Sequence, residues 1–358
     1  MKRNLIFILV IPLLFASCSD DFLQRNPTKS VTDSNFFNSE TELELYSNGF
    51  YSYVPGGTDL MATDFTASDN IEVSTYSAFL AGVRTVPASG GGWSWTMLRN
   101  INYFLAHYRK ADIAVDRLNY YEGFAKFFRA WFYFEKIKMF GDVPWYSEPL
   151  ETTSEELYKG RDSRTVVADS ILVDLDRAIR YLGTAKSPTR ISRWTALALK
   201  SRFCLYEGTY RKYHPELGLT ESAERFLTEC VNASAELIAD GGYSAYNMGK
   251  ISDYGDMFTA TAPNAEFILA RTYDKALSMV HSMNYVLLNS TYYAGAGMTR
   301  QMVESYLMKD GTFFSSRPGA DRMTFAEECA NRDLRLAQTI RTPGYMRTGT
   351  SKKLLPDF

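Results

Sequence analysis

LNYYEGFAKFFRAWFYFEKIKMFGDVP, residues 118–144, is long, almost free of helix breakers and heavily aromatic, and it predicts one continuous helix. Its charged residues Glu122, Lys126, Arg129 and Lys136 recur at helical spacing and line one narrow stripe. The rest of the circumference carries Phe, Trp, Tyr, Ile and Met. A helix apolar nearly all round must be covered on several sides. Lys126, Arg129 and Glu135 make it too charged to cross a bilayer, so other helices of the same chain have to provide the cover. Gly141 and then Pro144 stop it. The expectation is a central rod in a stack of helices.

Working outward, the flanking stretches are helical as well. Ser39 to Glu42 is a capping-box pattern, followed by Leu43, Tyr46, Phe50 and Tyr53 on one face, with Pro55-Gly56-Gly57 as the stop. Trp93 to Tyr108 repeats apolar residues at Trp95, Leu98, Ile101, Leu105 and Tyr108. Behind the rod, Thr165 to Leu182 has an apolar side of Val167, Leu172, Leu175, Ile179 and Leu182. Ser192 and Thr220 open two further helices, the second running through Ile238. Beyond Gly241 the texture changes. Glu266 to Ala270 reads as a short strand, Thr299 to Leu307 as a short helix, and Lys309-Asp310-Gly311-Thr312 as a hairpin turn.

Several of these stretches carry a resemblance. The run Gly123 to Ala130, then Tyr133-Phe134 and Phe140 to Pro144, resembles the helix signature of the SusD/RagB family of outer-membrane nutrient-binding lipoproteins. Phe124 departs from it, standing where family members usually carry Glu. Asn102 and Leu105, and the runs 263–274, 297–314 and 331–344, resemble further family segments in the family's order. The resemblance implies a mainly α fold, a tetratricopeptide-like superhelix of helix pairs with irregular loops and a few short strands. Residues 192–238 look like one such pair with a stretched loop, from Trp194, Leu197 and Ala198 in its first helix and Ala223, Leu227 and Cys230 in its second. Trp95 with Leu98, and Ala130 with Phe134 and Ile137, echo the pairing more weakly. Such a pair cannot bury its own apolar face, so stacking uses the aromatic wealth. A generic helical bundle satisfies the same spacings.

Length allows one large core or two smaller ones. Hydrophobic content of 46% and charged content of 22% are those of an ordinary globular chain, whereas 15% aromatic residues is rich. That excess suits a helical-repeat core and also suits carbohydrate stacking. Lys2 and Arg3 followed by the apolar run Leu5 to Phe15 form a signal-peptide pattern, too short to span a membrane. Phe15-Ala16-Ser17-Cys18 resembles a lipoprotein signal box, with Phe15 in place of the usual Leu, so that cleavage leaves Cys18 as the acylated N-terminus. An ordinary secretory signal with a chance Cys is the alternative. Losing Lys2 and Arg3 from the 39 basic residues leaves 37 against 41 acidic ones, a balance that argues against nucleic acid. Ser19-Asp20-Asp21 is an acidic tether, which in the family goes with surface display. The expected division is signal peptide 1–17, tether and extended lead-in 18–38, helical-repeat region 39–240, and loop-rich region 241–358. Family members continue past this length, so the last region is expected to be incomplete.

The remaining cysteines are Cys204, Cys230 and Cys329. Buried, unreactive thiols at apolar helix positions are the reading for Cys204 and Cys230, with a disulfide between them as the alternative, and no spacing fits a zinc site. Catalytic patterns are equally thin. His107, His214 and His281 are isolated; His214-Pro215-Glu216 is half of a deaminase motif without its cysteines; no nucleophile elbow or His-Glu-x-x-His occurs. Gly90-Gly91-Gly92 lacks the Lys and Ser/Thr of a phosphate loop. Asp174 with Asp176, and Glu155 with Glu156, read as surface charge rather than as a glycosidase pair, because helix residues two apart point in different directions.

A binding role needs less. Sugar C–H faces stack on aromatic rings and hydroxyls seek planar donors and acceptors. The irregular stretch before the rod offers Asp69, Asn70, Tyr76, Arg84, Trp93 and Trp95, and a second candidate is the loop Tyr292-Tyr293. If the helix has begun at Trp93, the two tryptophans diverge, and Trp93 is expected to be the exposed one. The resemblance implies a non-catalytic oligosaccharide-binding lipoprotein, without cofactor or metal, that serves a SusC-like TonB-dependent outer-membrane transporter. A peptide-binding relative of the RagB kind and a secreted helical-repeat interaction scaffold are the competing readings.

Overall fold

The structure, a computed structural model, describes residues 36–57, 68–72, 77–260, 262–283 and 297–346. The signal peptide, Cys18, the tether, Tyr76, Tyr292 and Tyr293 lie outside the described residues. Among those described, helix dominates. In chain order the elements are α1 (Glu40–Asn48), β1 (Ile71–Glu72), α2 (Thr96–His107), α3 (Val115–Phe140), α4 (Arg164–Tyr181), α5 (Arg193–Tyr213) and α6 (Ala223–Asp240). The short elements α7 (Asp253–Thr259), β2 (Gly297–Met298), α8 (Arg300–Ser305), α9 (Phe325–Cys329) and α10 (Leu336–Thr339) follow.

The rod is α3, and its end is set by Gly141 at φ 69, a backbone region that glycine enters without a Cβ clash. The apolar rings that encircle it find cover on every side. Its first half packs with Leu43 and Phe50 beside α1 and with Ile101 and Phe104 of α2; its second half packs with Val167, Ile171 and Leu175 of α4, Phe203 of α5 and Phe226 of α6. The charged stripe is covered too. Arg129 and Lys136 are only 5% and 7% exposed. A stripe this narrow cannot stay in water once neighbours close on both of its flanks, so each charge needs a protein partner. Glu122 accepts from Tyr108 Oη at 2.6 Å and Arg109 at 2.8 Å. Arg129 grips Asp174 of α4 with two nitrogens, at 2.6 and 2.8 Å, and Lys126 reaches the same carboxylate at 2.9 Å. Asp174 is therefore buried rather than surface charge, while Asp176 stays on the rim, paired with Lys200 at 2.8 Å.

Helices α3 to α6 fold back on one another in turn. Arg164 opposite Ile137, and Lys126 opposite Asp174, make α3 and α4 antiparallel; Arg164 opposite Glu207, and Lys200 opposite Asp176, do the same for α4 and α5. Ser201 opposite Ser234 sets α5 against α6. The α5–α6 pair is the one the spacings indicated. Its first helix starts on a capping box of Ser192 and Thr195, and its second is preceded by a 3-10 turn at Thr220–Ser222. For the rod, the preceding helix α2 does pack on it, but the fullest partner is the following one, α4. Cys204 is a free thiol at 0% exposure and Cys230 is free and half-buried. Burial pushes the Cys204 thiol up to about 12.

After Asp240 the chain is held more by hydrogen bonds than by apolar burial. The strand expected at Glu266 to Ala270 is irregular instead: Ile268 and Leu269 turn toward the helical cores, and the Ala270 N–H donates to the Pro188 carbonyl at 2.6 Å. A lone run without a neighbouring strand has no ladder to join, so its apolar residues pack singly. Among the described residues the strands are β1 and β2, antiparallel, with Ile71 opposite Met298. Thr299 caps α8, and the turn at 308–312 closes as Gly311 N–H donates to Met308. Met308 then bridges to Arg332, not to a hairpin strand, and Arg332 donates to the carbonyls of Glu328, Val303 and Tyr306.

Candidate functional site

A cleft of about 590 Å³ opens where the start of α2 faces the irregular segment behind the rod. Its first wall is the tryptophan pair. The helix begins at Thr96, not at Trp93, so both rings precede it and the divergence expected of helix residues does not arise. They meet edge-to-face, centroids 5.1 Å apart at 77°. Trp93 is 39% exposed and stands against Phe140 at 4.8 Å. Trp95 is half-buried and leans on Phe132, Tyr133 and Tyr146. The approach to them is the glycine run. Gly92 at φ 83 passes so close to Met139 of the rod that a Cβ would fall 2.6 Å from its sulfur. Lys136 donates to the Gly92 carbonyl from within a cage formed by Trp95, Phe132 and Phe140. Burial lowers the pKa of Lys136.

The opposite wall is residues 144–161, tied down by the rod's buried polar groups. Asn102 of α2 accepts from Arg129 at 3.2 Å and donates to the carbonyls of Tyr146 (2.9 Å) and Glu148 (3.2 Å). The Tyr133 hydroxyl accepts the Tyr146 N–H at 2.6 Å and donates to the Pro144 carbonyl at 3.3 Å. Burial raises the pKa of Tyr133, so it remains a neutral donor. Lys159 lies 5.0 Å above the Tyr146 ring and bonds Asp162 and the Trp145 carbonyl, each at 2.8 Å. Burial alone would push the Asp162 carboxyl up; the bonds from Lys159 and the Trp145 N–H outweigh it and hold the group below its usual range. Tyr146, which touches Trp95, and Leu157, Lys159 and Arg161 thus line the same cleft as the tryptophans, together with Arg99 and Glu148. This arrangement of aromatic faces with a few placed polar groups can bind a small polar ligand with apolar faces.

Of the other sequence candidates, the described ones, Asp69, Asn70 and Arg84, do not line the cleft. The Asp69 and Asn70 carbonyls accept from the Thr299 hydroxyl (2.8 Å) and N–H (2.9 Å), beside the β1–β2 ladder. Arg84 is exposed on the strand-free stretch that follows. The structure therefore brings together Trp93 and Trp95 and adds residues that the sequence reading passed over. Tyr146, Lys159 and Arg161 carried one usable signal, an aromatic and basic irregular run directly behind a rod stop. Among the described residues no cluster of His, Cys, Asp or Glu could hold a metal.

Comparison with known proteins bears on the whole chain. A family model described as "Starch-binding associating with outer membrane" matches residues 21–205, and one described as "SusD family" matches residues 265–357. A SusD-like protein of Formosa agariphila is 21% identical over 239 residues, 62% of this chain and 46% of its own length. The chain spans about half the length of the curated relatives it matches. Among solved structures, a SusD-like carbohydrate binding protein from Bacteroides fragilis superposes with a TM-score of 0.69 at 20% identity, over 90% of this chain and 63% of that one. A laminarin binding SusD-like protein gives 0.51 at 20% identity, over 65% of this chain and 51% of that one. At such identities the likeness is one of fold.

Proposed function

The chain belongs to the SusD family, and from that premise we propose that it captures an oligosaccharide in the cleft lined by Trp93, Trp95 and Tyr146. The supporting observation is the part-exposed Trp93 ring set beside fixed hydrogen-bonding groups, the combination a pyranose needs, since its C–H face packs on a ring and its hydroxyls bond. Anchoring follows the same reading: Cys18 carries acyl chains in the outer membrane, the acidic tether lets the domain face outward, and the bound sugar passes to a SusC-like TonB-dependent transporter. No catalytic step is assigned to the cleft. A carbohydrate-binding neighbour and a laminarin-binding neighbour support the ligand class.

The test is a panel of oligosaccharides and peptides titrated calorimetrically against the full chain, with Trp93→Ala and Trp95→Ala alongside. Trp93→Ala is expected to weaken sugar binding about tenfold, roughly 1.4 kcal/mol, with a smaller loss of melting temperature than Trp95→Ala, since Trp93 meets the rod only at Phe140. Trp95→Ala is expected to lower both, because its ring also packs on the rod. Binding of peptides and of no sugar would overturn the ligand class, and unchanged sugar binding in both variants would overturn the site.

A further inference from the structure

We infer that the cleft selects oligosaccharides carrying acidic groups, carboxylate or sulfate, and that Arg161 is the residue that recognises them; this rests on the capture reading above. The tryptophan pair is flanked by two cations. Arg161 lies over the Trp93 ring, 5.1 Å from its centroid, and its one hydrogen bond goes to the Phe140 carbonyl at 3.3 Å. Lys136 lies behind Trp95, 5.5 Å from that centroid, and donates to the Gly92 carbonyl. Neither has a carboxylate within ion-pair distance among the described residues.

The other cations of the cleft lining are paired. Lys159 is paired with Asp162 at 2.8 Å, and Arg99 stands 3.8 Å from Glu151 with both side chains more than half exposed. Glu148, on the far wall, is the one lining carboxylate. The positive charge open to a ligand at the stacking platform is therefore that of Arg161, an exposed group whose pull on an anion is screened by salt. A sugar ring resting on Trp93 brings a ring carboxylate or sulfate ester within reach of the guanidinium, whose planar fork matches two acceptor oxygens. Arg161 is exposed, so it can answer a ligand without unfolding anything.

The experiment uses pairs of probes that differ only in charge: de-esterified against fully methyl-esterified galacturonic acid oligomers, and sulfated against desulfated galactan oligomers. Each is titrated into the full chain and into Arg161→Gln, at low and at physiological salt. A charged member is expected to bind about tenfold more tightly than its neutral twin, with the gap narrowing at higher salt. Arg161→Gln is expected to remove most of that gap while keeping the melting temperature, and Glu148→Gln to widen it. Which pair shows the gap tells carboxylate from sulfate. Equal affinity for charged and neutral twins overturns the acidic preference and leaves the capture reading standing; a gap that survives Arg161→Gln overturns the assignment to Arg161. No sugar binding at all overturns both.

Discussion

Glu207 has no solvent access and serves two buried arginines. Arg164 reaches it at 2.8 Å and Arg211 at 2.7 Å, while a carbonyl of Ile137, the Ser222 hydroxyl and the rings of Tyr210 and Phe226 take up the remaining guanidinium faces. Two cations share one carboxylate: the Arg164 Nη2 lies 2.8 Å from it as an ion pair, whereas the Arg211 Nη2 has no hydrogen-bond acceptor among the described residues. Removing this shared anion leaves both guanidinium charges without their ion-pair partner in low-polarity surroundings, the case in which breaking a buried pair costs most. Glu207→Gln is expected to lower unfolding stability by about 3–5 kcal/mol, read from the urea midpoint at an unchanged m-value. A midpoint close to the parent's would sink the argument. The cluster sits where α4, α5 and the end of the rod converge, so it fixes geometry rather than ligand.

At the scale of elements, close approach of helix pairs depends on two glycines inside helices. Gly123 of α3 leaves room for α4: a Cβ there would lie 2.9 Å from the Tyr181 Cβ and 3.5 Å from the Ala178 Cα. Gly208 of α5 does the same for α6, where a Cβ would fall 2.8 Å from Leu227. Alanine is the better helix former by about 1 kcal/mol, so in an open helix either substitution would stabilise. At Gly123 the nearest obstacle is the Tyr181 Cβ, which cannot swing away, whereas at Gly208 the two nearest atoms are the Leu227 Cγ and Cδ2, which a rotamer change can move, with the Leu227 backbone N next at 3.2 Å. Gly123→Ala is thus expected to cost about 1–3 kcal/mol net, and Gly208→Ala less, measured as paired urea melts. Equal effects at both sites would mean that the crowding at α3–α4 is relieved by a shift of the whole helix.

Across the whole molecule, burial of titratable aromatic groups ties stability to pH. Desolvation raises the pKa of Tyr53, Tyr108 and Tyr133 above their ordinary value near 10, and raises Cys204 to about 12 from an ordinary 9. These folded values exceed the unfolded ones, so the stability they contribute is fully present below about pH 9 and is lost as pH rises through the folded values. Lys136 acts in the opposite sense, since burial lowers its pKa and its penalty is relieved as pH rises through that lowered value, but it is one group against several. The melting temperature is expected to fall steadily above about pH 9, and a flat profile to pH 11 would contradict it. The loop-rich part after Asp240 joins the helices through single hydrogen bonds, such as Gly57 N–H to Tyr273 Oη at 2.7 Å and Arg271 to the Val54 carbonyl at 2.9 Å.

By itself the sequence determined the rod, its stop at Gly141, the capping box at Ser39, the helix start at Ser192, and the helical periodicity of the pairs, because each rests on contacts within a few residues along the chain. Two members of the candidate site, Trp93 and Trp95, were legible for the same reason, as aromatic residues next to a glycine run. Only the tertiary structure decided what covers the charged stripe and what faces the tryptophans. Arg129 meets Asp174 45 positions away, and Asn102 meets the Tyr146 and Glu148 carbonyls 44 and 46 positions away. Nothing in local spacing encodes such meetings. They follow from α4 folding back on the rod, which places Asp174 beside Arg129 and lets Arg129 and Asn102 hold residues 144–148 as the cleft's second wall, where Arg161 then comes to rest over Trp93.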